Sequence, residues 1–135
     1  MPVDEVRSRT PAVAAARRCA YAVLRRVFED GAWADRALRG EAERLGLDTR
    51  DLGLATRLAY GAVQRRATLD HVVAQLAGRP PEELDAPVLD ALRLGVLQLC
   101  FLDGVADHAA VSQSVDLVRG PAKGLVNAVL RRAAR

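Results

Sequence analysis

The sequence predicts an all-α fold: a single compact bundle of about seven helices. Half of the 135 residues are hydrophobic and only 4% are aromatic. Good helix formers fill long stretches in which apolar residues recur at helical spacing, and no stretch shows the alternation typical of a β-strand. A chain of this length forms one domain that buries about two-thirds of its unfolded surface.

The first two helices are predicted from their boundaries and apolar stripes. A threonine before a proline is typical of a helix start, so the first helix is predicted to begin near Thr10-Pro11 and to end at Asp30-Gly31. The second covers about 34–45, and Trp33 is expected to anchor its start against the core. Arg18 and Arg25 are predicted on the side of the first helix opposite its apolar stripe, with Arg17 and Arg26 flanking them.

A longer third helix is predicted from Asp48 or Thr49. Its apolar pattern changes phase near 65–68, where a shorter fourth helix begins, and the loop at 78–81 stops that helix. Gly61 inside the third helix predicts the close approach of a neighbouring helix.

The fifth predicted helix is the most hydrophobic in the chain. From Leu92 onward its apolar side chains occur nearly all round, which places it at the centre of the bundle. Gln98 then needs a hydrogen-bond partner or an edge position. A sixth helix, capped by Asp107, is predicted to run through Val118, and a basic amphipathic helix follows the Gly120-Pro121 break.

The charge distribution says more about function than the net charge of +3. Residues 1–66 carry a balance of +4, residues 67–118 carry −6, and residues 119–135 carry +5 with no acid. Basic ends around an acidic middle predict two partner surfaces, although scattered solvated faces give the same sums. In the last helix Lys123, Asn127 and Arg131 recur every four residues, as in a solvated face or a row of phosphate contacts.

The sequence contains no recognisable catalytic motif, so the chain is predicted not to be an enzyme. It lacks the glycine-rich phosphate loop and strand–turn–helix unit of nucleotide sites, and no cofactor is expected. His71 and His108 each follow an aspartate, which is more typical of structural or exposed histidines than of catalysis. Cys19 and Cys100 lie in apolar stretches without CxxC spacing, which predicts reduced core cysteines and neither a disulfide nor a metal site.

No membrane segment is predicted. The sequence has no apolar run near the twenty residues that a spanning helix needs, and residues 1–10 lack the apolar core of a signal peptide. The expected location is therefore cytoplasmic, without a membrane partner.

Five blocks of residues carry a family resemblance through their order and spacing. They are Ala16–Ala20 with Val23-Leu24, Leu58–Val63 with Leu69-Asp70, Val88–Leu99, His108–Val111 and Lys123–Arg131. Together they resemble the NusB family and cover almost the whole chain. This helical domain is found alone in a transcription antitermination factor, and at the N-terminus of RsmB-type ribosomal RNA 5-methylcytosine methyltransferases.

Two of these blocks favour the methyltransferase-associated branch. They are His108–Val111 and the C-terminal block, in which Arg131 stands where free-standing NusB usually has an acid. The sixth helix departs from the NusB pattern, because Ser112-Gln113 replaces the usual Asn-Glu. The methyltransferase domain is missing from this chain, so the resemblance implies either an isolated N-terminal domain or a stand-alone paralogue.

The resemblance implies a non-catalytic module that binds ribosomal RNA or its nascent leader. Besides RNA, the implied partners are the ribosomal protein that pairs with NusB, the RNA polymerase antitermination complex or a methyltransferase domain, and a homodimer stays open. The alternative is a protein-interaction or dimerisation module of the same fold that does not bind RNA.

The implied RNA surface joins a flexible basic lead-in, residues 1–10, to both ends of the helical domain, residues 11–135. Arg65 and Arg66 are added from the residues alone, because they lie at a helix junction. Asn127 either reads a base edge or fastens its helix, and fastening is favoured. Few aromatic residues are present, so backbone contacts are expected rather than extensive stacking. The candidate set is Arg7, Arg9, Arg17, Arg18, Arg65, Arg66, Lys123, Asn127, Arg131 and Arg132, with Arg135 on the same wall.

Overall fold

A computed structural model describes residues 14–135, in which seven α-helices and one 3₁₀ turn follow one another without a strand. The prediction of an all-α bundle of about seven helices is confirmed. None of the described helices is both long and apolar enough to cross a membrane. The helices are α1 (Ala15–Asp30), α2 (Ala34–Leu45), α3 (Thr49–Gln64), α4 (Arg66–Ala77), α5 (Ala86–Phe101), α6 (Asp107–Val115) and α7 (Ala122–Ala133), and the 3₁₀ turn is Pro81–Glu83.

The predicted helix ends agree with the structure for most elements. Gly31 ends α1 in the left-handed region, at a φ of +71°, and its N–H donates to the carbonyl of Val27. The Asp48 side chain accepts the N–H of Asp51 at 2.8 Å and so caps α3. The predicted start of α1 at Thr10-Pro11 lies outside the described residues, and α1 as described begins at Ala15, after an extended Ala14.

The centre of the bundle is α5, as its sequence predicts. All residues from Val88 to Gln98 are buried, and five other helices pack against α5: α1, α3, α4, α6 and α7. Burial on every side requires that each polar residue of α5 find a partner inside the protein.

Two glycines let neighbouring helices approach closely. A Cβ atom at Gly61 would lie 3.2 Å from the side chain of Leu97, which confirms the predicted close approach of a neighbour to α3. At Gly95 of α5 a Cβ would lie 2.5 Å from Cδ1 of Leu130, so this position sets how closely α7 packs on α5.

An ionic network inside the bundle ties α5 to α4 and α1. Arg93, only 4% exposed, donates Nε and Nη2 to the two carboxylate oxygens of Asp70, at 2.7 and 2.9 Å. Its Nη1 donates to Asp90 at 2.9 Å, and Asp90 also accepts Nη1 of Arg25 at 3.2 Å. Burial raises the pKa of the Asp90 carboxyl above its ordinary value, although the bonds from the two arginines oppose that shift.

The same network includes an aromatic ring. Phe28 of α1 contacts two guanidinium groups, with Arg93 4.5 Å and Arg66 4.9 Å from the ring centroid. Arg66 is also 3.9 Å from Asp70, but unlike Arg93 it is exposed. The buried Arg93 and the exposed Arg66 therefore contact the same ring, that of Phe28, and approach the same carboxylate, that of Asp70.

Four expectations about apolar residues and helix boundaries are wrong. Trp33 is 75% exposed, because Ala37 and Leu38 of the following turn fill the core position at the start of α2. Cys100 is exposed, since the last turn of α5 emerges from the bundle, whereas Cys19 is buried and both thiols are free. The sixth helix ends at Val115 instead of Val118, and Ala106 occupies the N-cap position predicted for Asp107.

Replacing Gly95 with alanine is expected to lower the free energy of unfolding by about 1–3 kcal/mol, because the new methyl group overlaps the fully buried Leu130. Gly124→Ala is the matched control, since Gly124 also lies in a helix but has open space around its Cβ position. There alanine should stabilise by about 0.5–1 kcal/mol through helix propensity. Urea denaturation measures both, and equal stabilisation by the two alanines would contradict this close approach.

Candidate nucleic-acid interface

Arg17 is directed into the protein. Its Nε donates to Oε1 of Gln98 at 2.7 Å, and the Gln98 amide donates to the carbonyl of Leu94 at 2.9 Å. Gln98 thus has the partner that its buried position requires. Arg17 is 8% exposed, and burial lowers the pKa of its guanidinium. The prediction that Arg17 flanks the exposed side of α1 is therefore wrong, because the residue borders the apolar stripe and reaches across to α5.

Arg18 is exposed on α1, as its predicted role in RNA contact requires. The start of α1 lies against α6, because the N–H of Ala14 donates to Oε1 of Gln113 at 2.9 Å. One hydrogen bond therefore joins the residue that precedes α1 to α6. Arg7 and Arg9 lie outside the described residues.

A groove of about 540 Å³ runs between α6 and α7. It brings together Arg131 and Arg135 with His108, and Asp107 is the only acid in its lining. The residues that line it are Asp107, His108, Val111, Ser112, Asn127, Arg131, Ala134 and Arg135. The groove is thus a concave surface with an excess of exposed cations.

Asn127 connects the predicted cation row to this groove. Its Oδ1 accepts a hydrogen bond from Nε of Arg131, one turn later, at 3.2 Å. Asn127 thus makes a hydrogen bond within its own helix, which is the structural role that the sequence favoured. Its partner is a side chain, whereas a backbone group was expected. The bond orients Arg131 along the groove wall.

The other predicted cations of α7, Lys123 and Arg132, contact different parts of the protein and do not line the groove. Lys123 pairs with Asp116 at 2.9 Å, beside the end of α6, and does not line the groove. Arg132 donates Nη1 to the carbonyl of Leu76 at 2.6 Å, at the end of α4. Successive helical residues are about 100° apart, so Arg132 and Arg131 face different neighbours.

Arg65 and Arg66 lie at the junction of α3 and α4, apart from the residues that line the groove. Both are exposed, as predicted. The guanidinium of Arg65 lies 5.5 Å from the ring centroid of Phe101, a residue that the sequence did not mark as functional. Phe101 could be found only through this contact between the end of α5 and the helix junction.

A second groove, of about 470 Å³, lies where α5 begins and α7 begins. Its charges are balanced, since Arg79 and Arg119 face Glu83 and Asp85. The described residues contain no group of histidines, cysteines and acids arranged to hold a metal ion. Among these surfaces, the α6–α7 groove has the clearest positive character.

A protein-family model described as the NusB family matches residues 14–135. The chain belongs to the NusB family.

The NusB assignment is supported by both sequence relatives and solved structures. The ribosomal RNA small subunit methyltransferase B of Thermus thermophilus is 46% identical over 124 residues, which are 87% of this chain and 29% of the relative. The chain thus spans less than a third of that relative. A crystal structure of antitermination factors NusB and NusE in complex with dsRNA matches with a TM-score of 0.82 and 26% identity, covering 89% of this chain and 93% of that one.

A second solved structure shows the same NusB fold. A crystal structure of a plectonemic RNA supercoil contains a chain that matches with a TM-score of 0.83 and 26% identity. The match covers 88% of this chain and 91% of that one. These likenesses confirm the family resemblance and the all-α architecture predicted from the sequence.

The departure from the usual NusB pattern falls on the candidate interface. Ser112 lines the α6–α7 groove, and Gln113 accepts the backbone N–H of Ala14 at the start of α1. The pair expected from the sequence to depart from the NusB pattern thus includes one residue of the groove lining and one that bonds the residue preceding α1.

Arg17→Met is expected to lower the free energy of unfolding by about 1–3 kcal/mol, because it leaves the buried Gln98 oxygen without its donor. Arg36→Met on α2 is the exposed control and should cost no more than about 0.5 kcal/mol. Chemical denaturation monitored by circular dichroism compares them. Equal losses would show that the Arg17–Gln98 bond does not support the fold.

Proposed function

We propose that this chain is a non-catalytic RNA-binding domain that acts on ribosomal RNA or its nascent leader, and that the α6–α7 groove forms part of its RNA surface. The observation that carries the proposal is the convergence of Arg131, Arg135 and His108 in one groove with a single acid. Arginine side chains bind phosphate oxygens in two-point geometry, and each neutralised phosphate adds to the affinity.

The start of α6 strengthens the positive character of the groove. Asp107 and His108 belong to its first turn, and its N-cap residue, Ala106, provides no side-chain cap. The backbone N–H groups at a helix start, together with the helix dipole, favour a phosphate there. The dipole of α6 therefore adds positive potential at this end of the groove, partly offset by the Asp107 carboxylate in the first turn.

Further cations extend the proposed surface beyond the groove. Arg18 on α1 is exposed, and Arg7 and Arg9 in the lead-in precede Ala14, which contacts α6. Arg65 and Arg66 add a second exposed pair at the α3–α4 junction. Arg17, Lys123 and Arg132 already bond to protein groups, so in this proposal they position the helices more than they contact RNA.

The relatives suggest which process this RNA binding serves. One relative is a ribosomal RNA methyltransferase of which the chain corresponds to 29%, and a structural neighbour is a NusB–NusE complex with dsRNA. We propose methylation support as the main role, with a methyltransferase domain as the protein partner. Antitermination, with a NusE-like ribosomal protein and RNA polymerase, is the other RNA-directed role, and both place the protein in the cytoplasm.

A protein-interaction or dimerisation module is the second candidate function. It is favoured by the exposed Trp33, and by an apolar groove between α2 and α3 whose lining includes the 39% exposed Leu52. Exposed large apolar side chains are typical of docking surfaces. This candidate predicts association with another protein chain but no salt-dependent affinity for RNA.

The RNA proposal is tested with fluorescently labelled single-stranded fragments of small-subunit ribosomal RNA and its leader, titrated over a salt series. Arg131→Gln with Arg135→Gln is expected to weaken binding and to flatten the slope of log affinity against log salt by about 1.4, because two single-strand phosphate contacts are lost. The matched control is Arg36→Gln with Arg39→Gln, which removes two exposed charges from α2.

The outcomes separate the site from the function. If the two double variants weaken binding equally, the groove is not the site. If the unaltered chain binds none of the fragments at low salt, RNA binding itself is wrong, and the protein-interaction candidate replaces it.

A further inference from the structure

We propose that Phe101 and Arg65 form a stacking site for an unpaired base of single-stranded RNA. The inference rests on the proposed RNA-binding function and adds to it a contact with the face of a base instead of a phosphate. It concerns the junction of α3, α4 and α5, whose residues do not line the α6–α7 groove.

The backbone holds both members of the pair in place. The N–H of Arg65 donates to the carbonyl of Gly61 in α3 at 3.1 Å, and its carbonyl accepts the N–H of Leu69 in α4 at 2.8 Å. Phe101 is the last residue of α5, the most buried helix of the bundle. The helices therefore anchor the backbone of both residues, and the Arg65 guanidinium lies 5.5 Å from the centroid of the Phe101 ring.

This pair differs from the other arginine–phenylalanine contacts in being accessible. Phe28 is half-buried and contacts both Arg66 and Arg93, and both of those arginines also approach Asp70. Phe101 is 38% exposed. Within residues 14–135, no carboxylate lies within ion-pair distance of the exposed Arg65. Its charge is therefore not neutralised by a close acid.

The chemistry of the pair suits a nucleobase. Unpaired bases stack on aromatic rings and on arginine guanidinium planes, and an adjacent cation can hold the backbone. Arg57 is an exposed cation near Phe101, since its Nη2 donates to the carbonyl of Asp103, two residues after Phe101, at 3.4 Å.

The surroundings favour a base over a protein partner. A protein-docking site needs a contiguous apolar patch. Here the exposed neighbours of Phe101 along the chain are Cys100, Asp103 and Gly104, and Leu102 is only half-exposed. Phe101 is an exposed ring beside a guanidinium, and its neighbours along the chain include no other large exposed apolar side chain, which matches a single stacked base.

The test measures the affinity of the full chain for a single-stranded RNA that carries one 2-aminopurine, and for the same sequence as a duplex. Phe101→Ala is expected to weaken single-strand binding by about 5- to 100-fold and to abolish the quenching of 2-aminopurine. The salt slope should stay unchanged, because no phosphate contact is lost. Duplex affinity should also stay unchanged, and Phe101→Tyr should retain both affinity and quenching.

Leu52→Ala is the matched control, since Leu52 is 39% exposed and Phe101 is 38% exposed. It should bind both RNAs like the unaltered chain, and circular dichroism checks that each variant is folded. A folded Phe101→Ala chain with unchanged single-strand affinity would overturn the inference while leaving RNA binding intact. Absence of RNA binding by the unaltered chain would overturn both.

Discussion

The pairing of Arg93 with two carboxylates inside the bundle constrains the rest of the structure. An unpaired charge in this position would cost several kcal/mol, so α4 must present Asp70, and α5 must present Asp90, at hydrogen-bond distance from the same guanidinium. Arg25 extends the constraint to α1. The central helix α5 also fixes the position of α7, because Gly95, two residues after Arg93, packs against Leu130 of α7.

The arginines fall into two groups, according to whether their side chains bond to the central helix α5 or are exposed at the surface. Those that face α5, such as Arg17 and Arg25, bond to its polar side chains and hold the helices together. Those on the periphery, such as Arg65 and Arg131, remain exposed and contact aromatic or amide groups that orient them. In our proposal the exposed arginines bind RNA, whereas the inner arginines bond to side chains of α5 and stabilise the bundle.

Periodicity predicted what depends on local sequence, namely the helices, the central position of α5 and the close approach at Gly61. Periodicity did not predict side-chain pairs between residues that are distant in the chain. Arg17 and Gln98 are 81 residues apart, and Asp70 and Arg93 are 23 apart. For the site, spacing predicted a basic face on the last helix. Only tertiary contacts show that Lys123 is paired with Asp116, or that Phe101 meets a cation, because no local pattern encodes either contact.

The most direct test of this account compares the free energies of unfolding of Arg93→Met and Arg66→Met by urea denaturation. Both arginines lie over Phe28 and both approach Asp70, but only Arg93 is buried. We expect Arg93→Met to lose about 3–5 kcal/mol, because two carboxylates lose their buried cation. Arg66→Met should lose no more than about 1 kcal/mol. Equal losses, or a loss below about 1 kcal/mol for Arg93→Met, would contradict the account.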